Sequence, residues 1–297
     1  MEKYEHIIPQ KRHLADLPDR KRITICRHDI WINTPAFDDI FECIGYILET
    51  ENQITASCIS IIGTGGSGKS AVVKRLIDLN VLAEHKLKFV NLSENLDRYR
   101  LHHSVCEAFG VRFNVKSGDR TASVVRVIEA ENVKGLVVDE LHDALFQAYG
   151  QTGTTLSLMK NLSGDPCRLC LIVCGDLRTA DVLGYDDQIN RRFVRFLLPP
   201  WENDQNFTDF IAAYESHLPL KLPSNIADQR VRALLHAKSF GIMDNVVKII
   251  KAFAMDAIAT GVERIHEKQF QDISRITQRY GYQINEPQTK PKARKRK

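Results

Sequence analysis

The stretch IIGTGGSGKSAV, Ile61–Val72, decides the fold class of this chain. From Gly63 to Ser70 it fits the phosphate-loop pattern G-x-x-x-x-G-K-[S/T] without a mismatch. The glycines let the backbone turn tightly, so that successive N–H groups can line a nest for phosphate oxygens. Lys69 supplies a mobile positive charge for the β- and γ-phosphates, and Ser70 offers a hydroxyl to Mg²⁺. The stretch therefore predicts a site for a nucleoside triphosphate and its magnesium ion.

The residues on either side of the loop support this interpretation. The apolar run ASCISII, residues 56–62, predicts a buried strand, and SAVVKRLIDLN, residues 70–80, has helical spacing. The order strand, loop, helix brings the partial positive charge of a helix N-terminus to the phosphates. The residues predicted to contact the nucleotide are Gly63, Thr64, Gly65, Gly66, Ser67, Gly68, Lys69, Ser70 and Ala71.

A second motif, KGLVVDELHDAL at residues 134–145, predicts a strand that ends in two acids. A carboxylate at the carboxyl end of a parallel strand lies beside the phosphates, so Asp139 is predicted to hold Mg²⁺ together with Ser70. Glu140 is predicted to act as the general base that polarises an attacking water. His142 is expected to be an ordinary surface or packing histidine.

The next apolar run, RLCLIVCGD at residues 168–176, ends at Asp176, where a polar side chain could sense the γ-phosphate. It is followed by an arginine pair in INRRFVRF, which we expect at the far edge of the core. An arginine there can reach the γ-phosphate of a neighbouring subunit, a contribution worth ~10³ to 10⁵ in rate. A structural salt bridge is the alternative. The predicted catalytic residues are Glu140, Lys69, Arg192, Arg191 and Asp176.

Composition and cysteine usage narrow the class of protein. The hydrophobic fraction of 43% is ordinary, and no apolar stretch approaches the roughly 20 residues of a membrane helix. The N-terminus has no apolar signal core, and seven cysteines are an odd number. We therefore expect a cytoplasmic protein with reduced thiols. The pair CRLC, Cys167–Cys170, has metal-ligand spacing, but a second pair is missing, which favours buried strand cysteines over a zinc site.

The charge is concentrated at the C-terminus. The tail EPQTKPKARKRK, residues 286–297, has six Lys/Arg and one Glu, a net of +5, whereas the whole chain carries +4. Residues 1–285 are therefore at −1. Such a tail suits contacts with nucleic-acid phosphates or a docking role, and a merely solubilising end is the alternative.

The order of apolar segments predicts an α/β fold. Strands are expected at Cys58–Ile62, Leu87–Leu92, Gly135–Val138 and Arg168–Cys174, with helical patterns between them. From Asn206 onward only helical periodicity remains, most clearly in DNVVKIIKAFAMDAIATG, residues 244–261, with Asp244 as the cap and Gly261 as the stop. The fold class is a P-loop core with a parallel sheet flanked by helices, followed by a small C-terminal helical lid domain.

Taken in order, the motifs resemble those of the TniB/TnsC family of AAA+ transposition regulators. The resemblance rests on the phosphate loop, VVDELHDAL, IVCGDLRTADVL, DQINRRFVRFLLPPW, LPLKLPSNI and ATGVERI, and it runs from about Trp31 to Ile273. LLPPW with the following FIAAYESHLPL is fairly specific to that family. By position, Asp139 and Glu140 are the Walker B pair and Asp176 is at the sensor-1 position. Arg192 is the better finger candidate because it directly precedes Phe193.

The resemblance implies an ATP-dependent DNA-binding protein of the bacterial cytoplasm, with ATP and Mg²⁺ as cofactors. Members assemble as rings or filaments around duplex DNA and mark the insertion site for a transposase. Hydrolysis resets the assembly, and some members contact a TniQ-type targeting protein. The implied domains are an N-terminal extension at residues 1–34, an AAA+ domain at 35–200, a helical lid at 201–285 and the basic tail at 286–297.

The resemblance also implies where DNA is contacted and where this chain departs from its relatives. The implied DNA contacts lie in ENLDRYRLHH and FNVKSGDR, and they are Arg98, Tyr99, Arg100, Lys116 and Ser117. Such contacts position a protein on the duplex without reading its sequence. Where relatives often carry a lid arginine, this chain has FGIMDNVV, with Asn245 nearest to that arginine.

Three other functions share parts of this pattern. A nucleotide-gated scaffold would bind ATP without hydrolysis, which would leave Glu140 without a task. A helicase- or clamp-loader-type ATPase has the same architecture and differs in its partners. A small-molecule P-loop kinase is disfavoured by the arginine pair and by the C-terminal helices.

Overall fold

A computed structural model of the chain describes residues 3–50, 53–83, 85–92, 100–112, 120–145 and 151–286. The chain divides into two compact units. One is Pro35–Pro199, called the α/β unit below, and the other joins Met1–Thr34 with Pro200–Lys297 and is called the helical unit. No helix in these ranges is long and apolar enough to cross a membrane.

The secondary structure follows the predicted alternation. The strands of the described chain are β1 Cys58–Gly63, β2 Lys86–Asn91, β3 Val133–Asp139, β4 Cys170–Gly175 and β5 Phe193–Leu198. The helices are α1 Asp19–Cys26, α2 Pro35–Glu49, α3 Lys69–Asn80, α4 Arg100–Ala108, α5 Arg120–Glu131, α6 His142–Leu145, α7 Gln151–Ser163, α8 Leu177–Tyr185, α9 Asp187–Asn190, α10 Gln205–Glu215, α11 Gln229–Ser239, α12 Met243–Ala259 and α13 Ile273–Arg279. Short 3₁₀ helices lie at Pro9–Asp16 and Glu267–Asp272.

The α/β unit is built on a parallel five-stranded sheet in the order β2-β3-β4-β1-β5. Every residue of β1 and of β4 is buried, as expected for strands covered by helices on both faces. Because β4 lies between β1 and β3, the glycine-loop strand and the acidic strand are not neighbours. The predicted fold class, a core with a parallel sheet flanked by helices and followed by C-terminal helices, is confirmed.

The strands β1, β2, β3 and β4 agree with the prediction to within one or two residues at their ends. Arg168 has a φ of 48°, outside the β region, so β4 begins at Cys170 rather than at residue 168. The strand β5, directly after the arginine pair, was not predicted. It pairs with β1 from Cys58↔Phe193 to Gly63↔Leu198 and lies at the edge of the sheet. Its interior positions are largely exposed, so it lacks the continuous apolar run that identified the other strands.

The helical unit is packed around α12. The predicted apolar face of this helix is buried, except for the half-buried Val247. Gly261, with a φ of 73°, follows the helix end as predicted. The predicted cap was wrong: Ile242 is the N-cap residue, and Asp244 lies in the first turn, where it pairs with Lys248 at 2.5 Å. Residues of the N-terminal segment, including Cys26 and Ile32, belong to the same hydrophobic core.

Candidate functional site

The glycine loop has a backbone that requires glycine at several positions. A Cβ at Gly63 would lie 2.3 Å from Ser67 Oγ and 2.8 Å from the carbonyl oxygen of Leu198 in β5. Gly66 and Gly68 have φ values of 78° and 101°, in the left-handed region that favours glycine. The loop connects β1 to α3, so strand, loop and helix follow one another in the order that the motif requires.

The polar side chains of the loop fit a polyphosphate. The Lys69 side chain is buried, and its Nζ donates to the carbonyl oxygens of Gly63 at 2.8 Å and Thr64 at 2.9 Å. An ammonium group has three donors, so one is left for a ligand. Ser67 Oγ is buried without a hydrogen-bond partner in the described chain, and Ser70 is exposed in the first turn of α3. These groups can therefore donate to an anion at the helix N-terminus.

Asp139 is the last residue of β3 and is buried. Its Oδ1 accepts a hydrogen bond from the backbone N–H of Glu140 at 2.9 Å. Burial raises the pKa of the Asp139 carboxyl above its usual value, and this hydrogen bond and the charge of Lys69 oppose the rise. The charge of Lys69 acts on Asp139, as expected when the carboxyl ends of parallel strands meet at one edge of a sheet.

Glu140 is held in an unusual backbone conformation. Its φ is 56°, and a residue other than glycine adopts this region at a cost of order 1–3 kcal/mol. Its side chain is 31% exposed, and its Oε2 lies 3.0 Å from Nδ1 of His142. The Glu140 carboxylate is therefore partly open to solvent, while the turn fixes the position of the Glu140 backbone.

Asp176, the predicted γ-phosphate sensor, caps the N-terminus of α8. Its Oδ1 accepts from Thr179 N at 3.2 Å, and Nε of Arg178 donates to its Oδ2 at 2.7 Å. Burial by itself would raise the pKa of Asp176, but the hydrogen bonds from Arg178 and Thr179 outweigh burial and lower the pKa. The carboxylate is thus ionised and already engaged within its own helix.

The two arginines of the pair have different surroundings. Arg192 Nη1 donates to the carbonyl oxygen of Lys160 at 2.9 Å and to Ser163 Oγ at 2.8 Å, both in the last turn of α7. Arg191, the residue after α9, is exposed, and its side chain makes no hydrogen bond or ion pair within the part of the chain that the structure describes. The guanidinium of Arg192 is therefore engaged inside its own unit, whereas that of Arg191 is free to meet a partner.

Most of the predicted DNA contacts lie outside the described residues: Arg98, Tyr99, Lys116 and Ser117. Arg100 begins α4, and its backbone alone is described. The basic tail from residue 287 onward is also outside the described ranges.

In the helical unit, Asn245, which the resemblance places nearest to a lid arginine, makes hydrogen bonds within its own unit. It is fully buried, and its Nδ2 donates to the carbonyl oxygens of Ser239 at 3.1 Å and Asn285 at 2.8 Å. The backbone N–H of Asn285 donates to Asn245 Oδ1 at 3.1 Å. The amide thus fastens the end of the described chain to the start of α12.

The cysteines of CRLC are buried thiols. Cys170 and Cys174 lie in β4 as predicted, and burial raises the pKa of Cys167 and of Cys170. Within the described ranges no group of three or more potential ligands is placed to hold a metal ion.

The sequence predicts His142 to be an ordinary surface or packing histidine, and its side chain is 24% exposed. The ring lies between two carboxylates, with Nδ1 at 3.0 Å from Glu140 Oε2 and Nε2 at 3.5 Å from Asp143 Oδ1.

Comparison with known proteins identifies related sequences and folds. A family profile described as "Bacterial TniB protein" matches residues 22–203, more than half of the chain. No curated protein sequence matches.

Several solved structures share the fold. Among them are the ORC1 protein of Aeropyrum pernix in complex with DNA (16% identity, 85% of this chain and 68% of that chain, TM-score 0.54) and Cdc6p of Pyrobaculum aerophilum (15%, 85% and 70%, 0.56). A third is Drosophila ORC bound to DNA (14%, 91% and 70%, 0.57). At these identities the likeness shows a shared fold.

Proposed function

The chain belongs to the TniB family, and on that premise we propose that it is an ATPase that assembles around duplex DNA as a homo-oligomer and recruits a transposase to the target site. Its further partner in this proposal is a TniQ-type targeting protein, and its cofactors are ATP and Mg²⁺. ATP hydrolysis then limits or resets the assembly on DNA.

One observation carries the ATPase part of the proposal. Lys69 of the glycine loop and Asp139 at the end of β3 are both buried, the charge of Lys69 acts on Asp139, and Glu140 follows directly, with its backbone N–H bonded to Asp139 Oδ1. Binding of a triphosphate requires the lysine and the metal ligand. Hydrolysis requires in addition a group that accepts a proton from water, and the partly exposed carboxylate of Glu140 can do this.

Each of these residues has a distinct task in the proposal. Bound MgATP would supply the γ-phosphoryl group that a water molecule attacks. The loop N–H groups and Lys69 orient and neutralise the phosphates, while Ser70 and Asp139 would hold the metal ion. Glu140 Oε accepts the proton of the attacking water as a general base. Arg191 or Arg192 of an adjacent copy supplies positive charge to the γ-phosphate.

The DNA part of the proposal rests on other features. The relatives in fold include proteins described in complex with DNA. The segments ENLDRYRLHH and FNVKSGDR carry Arg98, Arg100 and Lys116, and the tail carries a net +5 on an otherwise nearly neutral chain. Contacts of this kind bind phosphates without regard to sequence and weaken as salt rises.

The variant Glu140→Gln tests the proposed reaction. It removes the base and keeps the shape, so we expect ATP and DNA binding to persist while phosphate release falls by about 10² to 10⁴-fold. Glu129→Gln, an exposed position in α5, is the matched control and should leave phosphate release unchanged. If Glu140→Gln releases phosphate at the parent rate, the assignment of the base is wrong.

Electron micrographs test the assembly. The parent chain is imaged with duplex DNA, with and without a slowly hydrolysed ATP analogue, and we expect ordered assemblies on the duplex only with nucleotide. A chain that stays monomeric and ignores the duplex in both samples overturns the proposal. Ordered assemblies together with no ATP turnover would identify a nucleotide-gated scaffold instead.

A further inference from the structure

His142 is the first residue of α6 and stands two positions after the proposed base. Its Nδ1 lies 3.0 Å from Glu140 Oε2, and its Nε2 lies 3.5 Å from Asp143 Oδ1. The Nδ1 atom is buried and makes no hydrogen bond of good geometry within the described chain, although Glu140 Oε2 is so close. The contact is therefore short but poorly aligned.

The backbone fixes the relative positions of the two side chains. The turn is held by Glu140 N to Asp139 Oδ1 at 2.9 Å, by Leu141 N to the Cys174 carbonyl oxygen at 2.9 Å, and by Asp143 N to the Glu140 carbonyl oxygen at 2.9 Å. Each bond ties a residue of the turn to a strand end or to the start of α6. Because the main chain is held in this way, the side-chain torsions of Glu140 are its remaining freedom.

The imidazole also lies within electrostatic reach of the neighbouring acids. The charge of His142 is one of the influences that lower the pKa of Asp139 and of Asp176, after the larger effects of burial and of hydrogen bonding. Two carboxylates, those of Glu140 and Asp143, therefore contact the ring, and those of Asp139 and Asp176 are within the range of its charge. A donor at this place reduces their mutual repulsion and gives the Glu140 carboxylate a preferred direction.

We propose that His142 is a positioning residue that holds the carboxylate of Glu140 through Nδ1. The inference rests on the proposed ATPase function. A misaligned contact of 3.0 Å is weaker than a straight hydrogen bond, so the carboxylate can exchange it for a water molecule without a large penalty. The ring restricts the orientations of the Glu140 carboxylate before substrate binds. Less conformational entropy is then lost when the reaction takes place. His142 itself touches neither substrate nor metal in this role.

Three variants at position 142 separate positioning from packing. Asparagine carries an amide NH₂ at about the place of Nδ1, and glutamine carries one at about the place of Nε2, whereas alanine carries neither. We expect His142→Ala and His142→Gln to lower kcat for ATP by about tenfold with KM changed by less than about twofold. We expect His142→Asn to restore most of kcat. Thermal unfolding and ATP-analogue binding of each variant verify that the site is intact.

A pattern that follows size rather than the position of the donor overturns the inference. If Gln, closer in size to histidine, restores kcat and Asn does not, the ring is a packing residue. Equal turnover in all four proteins also overturns it. In the background of Glu140→Gln, adding His142→Ala should have no further effect on residual turnover, since the group that it orients is gone.

A second readout does not depend on turnover. The ring-nitrogen NMR resonances of His142, identified by their loss in His142→Asn, are recorded in the parent chain and in Glu140→Gln. We expect the Nδ1 resonance to shift, and an unchanged resonance overturns the pairing. If the parent chain hydrolyses no ATP, the proposed function fails, while this measurement still decides whether Nδ1 holds the carboxylate.

Discussion

Arg22 and Glu263 are 241 positions apart in the sequence and form a two-point ion pair in the helical unit. Nη1 of Arg22 lies 2.6 Å from Glu263 Oε2, and Nη2 lies 2.7 Å from Oε1. Arg22 is fully buried and also bonds to Asp19 Oδ1 at 2.6 Å and to the carbonyl oxygen of Pro219 at 3.2 Å. The pair fastens the N-terminal segment to the C-terminal helices, and no local sequence pattern predicts it, because the two residues are so far apart in the chain.

Replacing Glu263 by glutamine should destabilise the helical unit by about 3 kcal/mol, because it leaves the buried Arg22 charge without its main partner. Both tryptophans, Trp31 and Trp201, belong to this unit, so fluorescence during urea unfolding reports on it selectively. The control is Glu267→Gln, which removes a partner of Arg230 at 3.7 Å between two exposed side chains. We expect that control to cost less than about 0.5 kcal/mol. If both variants lose the same free energy of unfolding, the buried ion pair stabilises the unit no more than an exposed one.

The same pair predicts a pH dependence. The hydrogen bond from Arg22 holds the pKa of Glu263 below its usual value, against the opposing effect of burial. A carboxyl whose pKa is lower in the folded state stabilises that state fully above its unfolded pKa of about 4.3, and the stabilisation is lost as pH falls through the folded pKa. The stability gap between parent and Glu263→Gln should therefore be constant near neutrality and close in the acid range below about pH 4. A gap that widens on acidification would contradict this.

Because Arg191 and Arg192 have different surroundings, we expect their alanine variants to differ in stability and in ATP turnover. Arg192→Ala removes charged hydrogen bonds to the end of α7, so we expect the α/β unit to lose about 1.5–3 kcal/mol. Arg191→Ala removes an exposed side chain, so we expect unchanged thermal unfolding and unchanged ATP binding. If Arg191 is the residue that reaches the adjacent copy, turnover of the DNA-bound assembly should fall by about 10³-fold.

The same experiment tests the sequence prediction that Arg192, rather than Arg191, is the arginine that contacts the γ-phosphate of the adjacent copy. Should Arg191→Ala turn over ATP at the parent rate in the assembled state, Arg191 is excluded. A fall in turnover for Arg192→Ala at a temperature where the variant is fully folded would then assign the role to Arg192.

The sequence revealed the parts of the fold that depend on composition and local spacing. The glycine loop and the buried runs of β1 and β4 can be read directly, because close packing on both faces demands continuous apolar residues. The strand β5 escaped, since an edge strand with exposed positions has no such pattern. The left-handed Glu140 and the cap made by Asp176 also escaped, because both depend on contacts that form only when the turn after β3 and the start of α8 are in place.

The last prediction concerns the basic tail. Asn245 and Asn285 exchange two hydrogen bonds, so the chain is fixed up to the residue before the tail. Replacing the six Lys/Arg of residues 286–297 by glutamine should therefore leave the fold and ATP binding unchanged. If those cations contact phosphates, DNA affinity should fall about equally for any duplex, and the slope of log K against log salt should become shallower by up to about 5. Titrations of labelled duplexes at several salt concentrations measure both effects. A loss restricted to one DNA sequence, or an unchanged slope, would show that the tail does not bind DNA through its charge and would leave docking to a protein partner or a solubilising role.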